Sequence, residues 1–358
     1  VCFLVAAAVT YLLTPPVRRL AIKAKAMAEV RDRDIHATPT PRWGGLAMYG
    51  GFLAGLLIAS KLPGMAVVFG SNRQPLALVV GSTLIVGLGL LDDRFGLDAP
   101  TKFAGQALAA GSMAFLGIQM VWLPIGGTLV LDPLTSVLLT VLFVVLTINA
   151  VNFVDGLDGL AAGIVGIAAT AFFVYAFLLS VEFGFDRATL AALICALLAG
   201  ICVGFLPHNL NPARLFMGDT GSMLIGLLLA ASAITLSGRV DPSAVRGELL
   251  LPAILPLLLP LAVIAVPLLD VAMAVVRRTR RGRSPFAPDK EHLHHRLIEL
   301  GHSQRRAVAL MYAWTALIAF SAVAVALVPW PVALVVFLAG LAGLAFLVSR
   351  PAAALSRR

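Results

Sequence analysis

Apolar runs long enough to cross a lipid bilayer recur from one end of this chain to the other, and that leaves few architectures open. A backbone inside hydrocarbon must satisfy its own N–H and C=O groups, so only α-helices and closed β-barrels span membranes. The runs here are continuous rather than alternating, which selects helices of about 20 residues. Of the 358 residues, 60% are hydrophobic and 13% charged, where a soluble domain carries about 25% charged residues. The expected fold is therefore all-α, a polytopic integral membrane protein in a single domain over 1–358. About eleven transmembrane helices are expected, at 1–16, 43–60, 76–91, 103–119, 134–151, 160–180, 188–206, 222–237, 250–276, 308–328 and 331–349. The first run is short, with no basic leader and no cleavage-type site. It is expected to be a helix lacking its natural start rather than a signal peptide.

The loops alternate between two sides. One side holds the loops at about 17–42, 92–102, 152–159, 207–221 and 277–307 together with the C-terminal tail, and carries 22 of the 27 Lys and Arg residues. The positive-inside rule makes that side cytoplasmic. The net charge of +9 is thus an orientation signal beside anionic head groups and substrates. No aromatic-interleaved basic face accompanies it, so nucleic acid is not an expected partner. Cys2, Cys195 and Cys202 read as small apolar packing residues. The last two lie seven positions apart in one expected helix, about 10 Å along its axis and too far to bridge.

The polar, motif-like segments all fall on the cytoplasmic set of loops. Leu91-Asp92-Asp93-Arg94 ends the third span and Lys102 opens the fourth. Two adjacent carboxylates at a membrane boundary need a cation or a metal, although a solvated helix end paired with Arg94 would also serve. Asn149, Asn152, Asp155 and Asp158 recur every three positions at the end of the fifth span, so they share a broad face while that segment is helical. Gly156 and Gly159 are expected to break the helix. No Lys or Arg in this loop offsets the aspartates, which implies a divalent cation or a donor from another loop. The glycines at 159, 163 and 166 have close-packing spacing and read as helix contacts.

The segment from His208 to Ser222 leads into the eighth span. Its Asp219 stands before the expected helix start, where it would be an ordinary N-cap or a Mg²⁺ ligand beside amides that bind phosphate. Phe216 is either a stacking plate for a base or a packing residue. In the last loop, His292 and His294 have the spacing of a zinc pair, but nine Lys and Arg residues between 277 and 307 disfavour a metal held by neutral histidines. The same field suits a diphosphate, with His292, His294, His295 and Arg296 as donors. Asp270 is a second-rank candidate. Acids for Mg²⁺ and bases for phosphates together describe phosphoryl transfer. A Walker-type loop and a serine nucleophile motif are absent from the sequence.

These segments resemble one family in order. Asp92-Asp93, Asn152-Phe-Val-Asp155-Gly-Leu-Asp158-Gly159, Asn211-Pro-Ala-Arg-Leu-Phe-Met-Gly-Asp219-Thr-Gly-Ser and His292-Leu-His-His295 are similar to the signatures of polyprenyl-phosphate N-acetylhexosamine-1-phosphate transferases. His36-Ala-Thr-Pro-Thr-Pro-Arg-Trp-Gly-Gly45 resembles the family's first cytoplasmic loop. The resemblance implies transfer of a sugar 1-phosphate from a UDP-sugar to polyprenyl phosphate with release of UMP, at the cytoplasmic face of a bacterial cell membrane. It implies Mg²⁺, with Mn²⁺ as a substitute, bound by Asp219 with Asn152 or Asp155 nearby. Asp92, Asp93, Asp155, Asp158, Asp219 and Lys102 form the implied catalytic set, in which Lys102 steadies the diphosphate. One proposal for the family has an aspartate deprotonate the lipid phosphate, but a phosphate monoester with a second pKa of about 6 is mostly dianionic at neutral pH, so Asp92 or Asp93 is expected instead to organise Lys102 and the metal. Asn209 or Asn211, with Phe216, are the implied candidates for the uridine contact, and the loop from His292 to Arg296 for the sugar or phosphate contact. A homodimer is compatible with the resemblance. His-Leu-His-His with the Arg-rich approach from Arg280 is similar to the branch that takes UDP-N-acetylglucosamine. The UDP-MurNAc-pentapeptide branch typically has three consecutive histidines. A nucleotide-sugar or lipid transporter and a membrane scaffold are the competing classes, and neither accounts for acids and histidines gathered on one face.

Overall fold

A computed structural model describes residues 1–27, 39–70, 73–123, 129–181, 189–237, 279–280 and 303–349. The helices are α1 (Cys2–Lys23), α2 (Gly44–Ala59), the short α3 (Ala66–Phe69), α4 (Gln74–Phe95), α5 (Ala99–Phe115), α6 (Pro133–Val154), α7 (Leu160–Val181), α8 (Thr189–Asn209), α9 (Gly218–Ser237), α10 (Gln304–Leu327) and α11 (Trp330–Ser349). Ten of the eleven expected spans coincide with one of these helices. The remaining one, 250–276, lies outside the described residues. Among the described residues, seven helices (α4 and α6–α11) are long and apolar enough to cross a membrane, or eight if α2 and the 63–69 segment, bent by 99° from it, form one span. Helix α1 carries Pro15, Pro16, Arg18 and Arg19 in its second half, and α5 has only 17 residues. The all-α, multi-pass reading holds. A small antiparallel pairing of Trp122–Leu123 with Leu129–Val130 lies between α5 and α6.

Helix α9 is the axis of the bundle. Its apolar window is wholly buried, and α2, α4, α6, α7 and α8 all pack on it. Lipid gives apolar helices no hydrophobic reason to associate, so close backbone approach through small residues must hold them. A Cβ on Gly45 of α2 would lie 2.2 Å from the Gly221 nitrogen, and one on Gly89 of α4 would lie 2.4 Å from Thr220 Cα. Both contacts fall on the first turn of α9 and draw the ends of α2 and α4 onto it. At the periphery, α11 exposes Val332, Leu334, Val335, Val336, Leu338, Phe346 and Leu347. An apolar surface of that extent suits a helix of a membrane protein.

The up-and-down order brings the C-terminal ends of α4, α6 and α8 and the N-terminal ends of α2, α5, α7, α9 and α10 to one end of the bundle. All the polar motifs within the described residues lie there.

Candidate active site

The site is built on the N-terminus of α9. Helix amides at such an end lack internal partners and attract negative charge. Here Asp93, from the last turn of α4, supplies it. Its Oδ1 accepts from the Asp219 N–H at 2.9 Å, and its Oδ2 accepts from the Thr220 N–H at 3.1 Å and the Thr220 hydroxyl at 2.6 Å. Gly218 opens the helix at φ +68°, and a Cβ there would lie 2.3 Å from Asp93 Oδ2. Only glycine admits the carboxylate. Helix α9 starts at Gly218, two residues earlier than the capping alternative for Asp219 required. Asp219 therefore stands in the first turn, and the cap comes from another helix.

Asp92 faces a different neighbour. Its Oδ1 accepts from the Leu97 N–H at 2.8 Å, and its Oδ2 lies 2.5 Å from Lys102 Nζ. The same ammonium donates to Asp219 Oδ2 at 2.6 Å. Lys102 sits in the first turn of α5, just before the apolar run. Burial works against its charge, but the hydrogen bonds and charges of Asp219 and Asp92 outweigh that effect and hold its pKa above the ordinary lysine value. Arg94, the alternative partner for the acidic pair, instead lies over the Phe95 ring at 5.4 Å.

Asn152 in the last turn of α6 donates through Nδ2 to Ser222 Oγ of α9 at 2.9 Å, and, against burial, its side chain helps hold the Asp219 carboxyl below its ordinary value. One turn deeper, Asn149 Nδ2 donates to Gln106 Oε1 of α5 at 2.7 Å, and Gln106 Nε2 lies 3.7 Å from Met223 Sδ of α9. Gln106, Asn149 and Met223 thus form a floor beneath Lys102, Asn152 and Asp219. Sequence reasoning passed over Gln106 as a site residue. A lone amide in an apolar span, one turn from Lys102, was the available signal.

Helix α6 ends at Val154, and Asp155 is its C-cap at φ −76°, ψ +50°. Only Asn149 and Asn152 therefore share a helical face, and Asp155 and Asp158 leave it. Burial first, and then the negative charges of Asp219 and Asp93, push the Asp155 carboxyl up to about 8, with Arg42 pulling the other way. Arg42 belongs to the 39–45 segment, which is stitched to the loop before α9. Phe216 N donates to Pro41 O at 2.9 Å, and Gly44 N donates to Phe216 O at 3.0 Å. Phe216 is half-buried, its backbone fixed at both ends.

The remaining motif residues brace the loops. Asn209 is 3% exposed. Its Oδ1 accepts from the Gly159 N–H at 3.1 Å and its Nδ2 donates to Leu215 O at 3.0 Å, so both ends of the amide are engaged within the protein. Asp158 Oδ2 accepts from Asn211 Nδ2 and from the Ala213 N–H, each at 3.0 Å. Asp158 and Asn209 are thus placed to hold the α6–α7 and α8–α9 loops together. His292, His294, His295 and Arg296 lie outside the described residues, as do His36 and Asp270.

The described donors fit a hard divalent cation by their chemistry. Asp219, Asp155 and Asn152 offer carboxylate and amide oxygens. Burial first, and the neighbouring charges of Asp219 and Asp93 second, raise the Asp155 carboxyl. Among the described residues, no group of three or more His, Cys, Asp or Glu side chains is arranged to hold an ion. Lys102 lies between two of the acids.

Residues 75–237, which run from α4 through α9, match the family described as Glycosyl transferase family 4. The chain is 49% identical over 324 residues to a decaprenyl-phosphate N-acetylglucosaminephosphotransferase of Mycolicibacterium smegmatis, covering 89% of this chain and 80% of that protein. The protein of the same name from Mycobacterium tuberculosis (strain ATCC 25618 / H37Rv) is 46% identical over the same shares. A Bacillus subtilis protein named "Probable undecaprenyl-phosphate N-acetylglucosaminyl 1-phosphate transferase" is 31% identical, over 87% of this chain and 80% of that one. Identity at this level over four-fifths of such relatives, together with the match across the site-bearing helices, shows that the chain belongs to glycosyl transferase family 4.

Proposed function

We propose that this protein transfers N-acetylglucosamine 1-phosphate from UDP-N-acetylglucosamine to a polyprenyl phosphate, giving polyprenyl-diphosphate-N-acetylglucosamine and UMP. The observation that carries this reading is the ion-paired cluster of Lys102, Asp92 and Asp219 at the bundle end, with Asn152 and Asp155 beside it. The relatives' names supply the donor sugar and the class of acceptor lipid. In the reaction, an oxygen of the lipid phosphate attacks the sugar-bearing phosphorus of the donor. The bond from that phosphorus to the bridging oxygen breaks, and UMP leaves with the oxygen and its electron pair. One diphosphate linkage replaces another.

The lipid phosphate has a second pKa near about 6 and is mostly dianionic at neutral pH. Its activation needs positioning and charge compensation more than a base. Lys102 supplies positive charge to the diphosphate, Asp92 and Asp219 hold that ammonium in place, and Asp93 fixes Asp219 by capping its helix. Mg²⁺, held by Asp219 with Asn152 and Asp155, would offset the charge of the reacting phosphates, and Mn²⁺ would substitute. The site faces the cytoplasm, in keeping with the 22 of 27 basic residues on that side of the expected topology.

UMP release from purified protein with Mg²⁺ and polyprenyl phosphate tests the proposal, with UDP-GlcNAc and UDP-MurNAc-pentapeptide offered in parallel and Asp219→Ala as control. Lipid-dependent release with UDP-GlcNAc alone, lost in the variant, is expected. Release only with the pentapeptide donor would keep the chemistry and overturn the sugar. Folded protein releasing UMP from neither would point first to another UDP-hexosamine donor and then to the transporter reading.

A further inference from the structure

Helix α10 lies outside the family match at 75–237, yet it is bonded to both motif loops. Asn211 Nδ2 donates to Gln304 Oε1 at 2.8 Å as well as to Asp158. Arg305 donates through Nε and Nη2 to Asn211 O, at 3.1 and 2.8 Å. Two turns further along α10, the Tyr312 hydroxyl donates to Gly159 O at 2.5 Å. The Tyr312 ring lies against α7 where Gly163 has no side chain, since a Cβ there would come within 2.0 Å of the ring.

The Gly159 N–H is held by Asn209 of α8, and the Gly159 carbonyl accepts from Tyr312 of α10 as well as from the Gly163 N–H of α7. Gly159 itself has φ +77°, a conformation that favours glycine. The turn from Asp155 to Gly159 is thus pinned at its far end by Gly159 and at its near end by the end of α6. Asp155 is the C-cap of α6 and opens this turn.

We infer that Tyr312 is a positioning residue, whose hydroxyl sets the Asp155 carboxyl against Asp219 through the Gly159 carbonyl. This rests on the proposed function only in taking Asp155 to meet the divalent cation. A phenylalanine would fill the same space, so Tyr312→Phe removes the hydrogen bond without opening a cavity.

The test uses the full chain and two readouts of Mg²⁺: the rate of UMP release, and the rise in melting temperature without substrates. In Tyr312→Phe, the Mg²⁺ concentration for half-maximal effect is expected to rise about tenfold in both, the lower end of what groups supporting metal ligands contribute. The KM for UDP-GlcNAc is expected to stay within about twofold, since the substitution removes only a hydrogen bond to the Gly159 carbonyl. A lowered melting temperature with unchanged Mg²⁺ half-saturation would reduce the hydroxyl to a structural role and overturn the inference. So would a parent protein whose melting temperature ignores Mg²⁺. A parent that responds to Mg²⁺ but releases no UMP would sink the proposed reaction instead, and the melting readout would still decide the role of Tyr312.

Discussion

Asp93 caps the helix that carries Asp219 in its first turn, accepting from the Asp219 N–H at 2.9 Å across 126 positions of sequence. Its neighbour Asp92 takes no part in the cap and holds Lys102. Two adjacent carboxylates thus have separate work, one fixing a helix end and the other fixing a cation.

Asp93→Asn should show what that cap contributes. The amide turns an N–H toward the donors of Thr220, so the helix end loses at least one acceptor. Stability should fall by about 1–2 kcal/mol, the scale of a lost N-cap, with a marked fall in the rate. Neither Asp93→Asn nor Asp92→Asn should recover at high pH, because the role is placement and charge rather than proton transfer. Recovery between pH 7 and pH 9 in a rate profile would instead assign one of them as a base.

Lys102→Met removes the cation shared by Asp92 and Asp219. The rate of UMP release should drop by about 10²–10³-fold, as for other single groups that compensate transition-state charge. Divalent cations should meanwhile bind the substrate-free protein more tightly, because the two acids lose their ammonium. Calorimetric or melting titration with Mg²⁺ measures the second effect. Weaker binding would show that Lys102 serves the metal site rather than competing with it.

Asp155 gives a pH dependence with a definite sign. Its carboxyl is raised from 3.8 to about 8 in the fold, so the folded form holds more protons than the unfolded chain between those values. The contribution to stability is full below pH 3.8 and is lost as pH rises through about 8. In EDTA, the melting temperature in detergent should therefore decline toward alkaline pH, and Asp155→Asn should flatten the decline. Mg²⁺ should protect more at pH 8.5 than at pH 6, because the ion competes with the proton.

Asn209 separates a brace from a base contact. Asn209→Ala leaves the Gly159 N–H and Leu215 carbonyl without their partners, which costs about 1–3 kcal/mol for buried groups. The melting temperature should fall while the KM for UDP-GlcNAc stays close to that of the parent. A selective rise in KM with unchanged melting would restore the uridine contact that the family resemblance implies.

Much of this was legible in the residues. An apolar run is a local property, so span positions could be read one at a time, and helices stand at ten of the expected places. Even numbers of crossings between motifs were enough to put Asp92, Asn152, Asp158 and Asp219 at one end of the bundle. The competing roles of Asp219 as cap or ligand stayed open in the sequence because both need the same residue before the same helix.

Partner choice was decided by packing. Consecutive residues on a helix point about 100° apart, so Asp92 and Asp93 meet different neighbours, and only the crossing of α4 with α9 says which. That crossing depends on Gly89 and Thr220 touching at the backbone, and the approach of Asp93 depends on Gly218 lacking a Cβ. The link from Tyr312 to Gly159 spans 153 positions and belongs to no motif. A contact between distant segments leaves no periodicity in the chain, so the sequence determined which residues reach the site and the tertiary structure determined what each one holds.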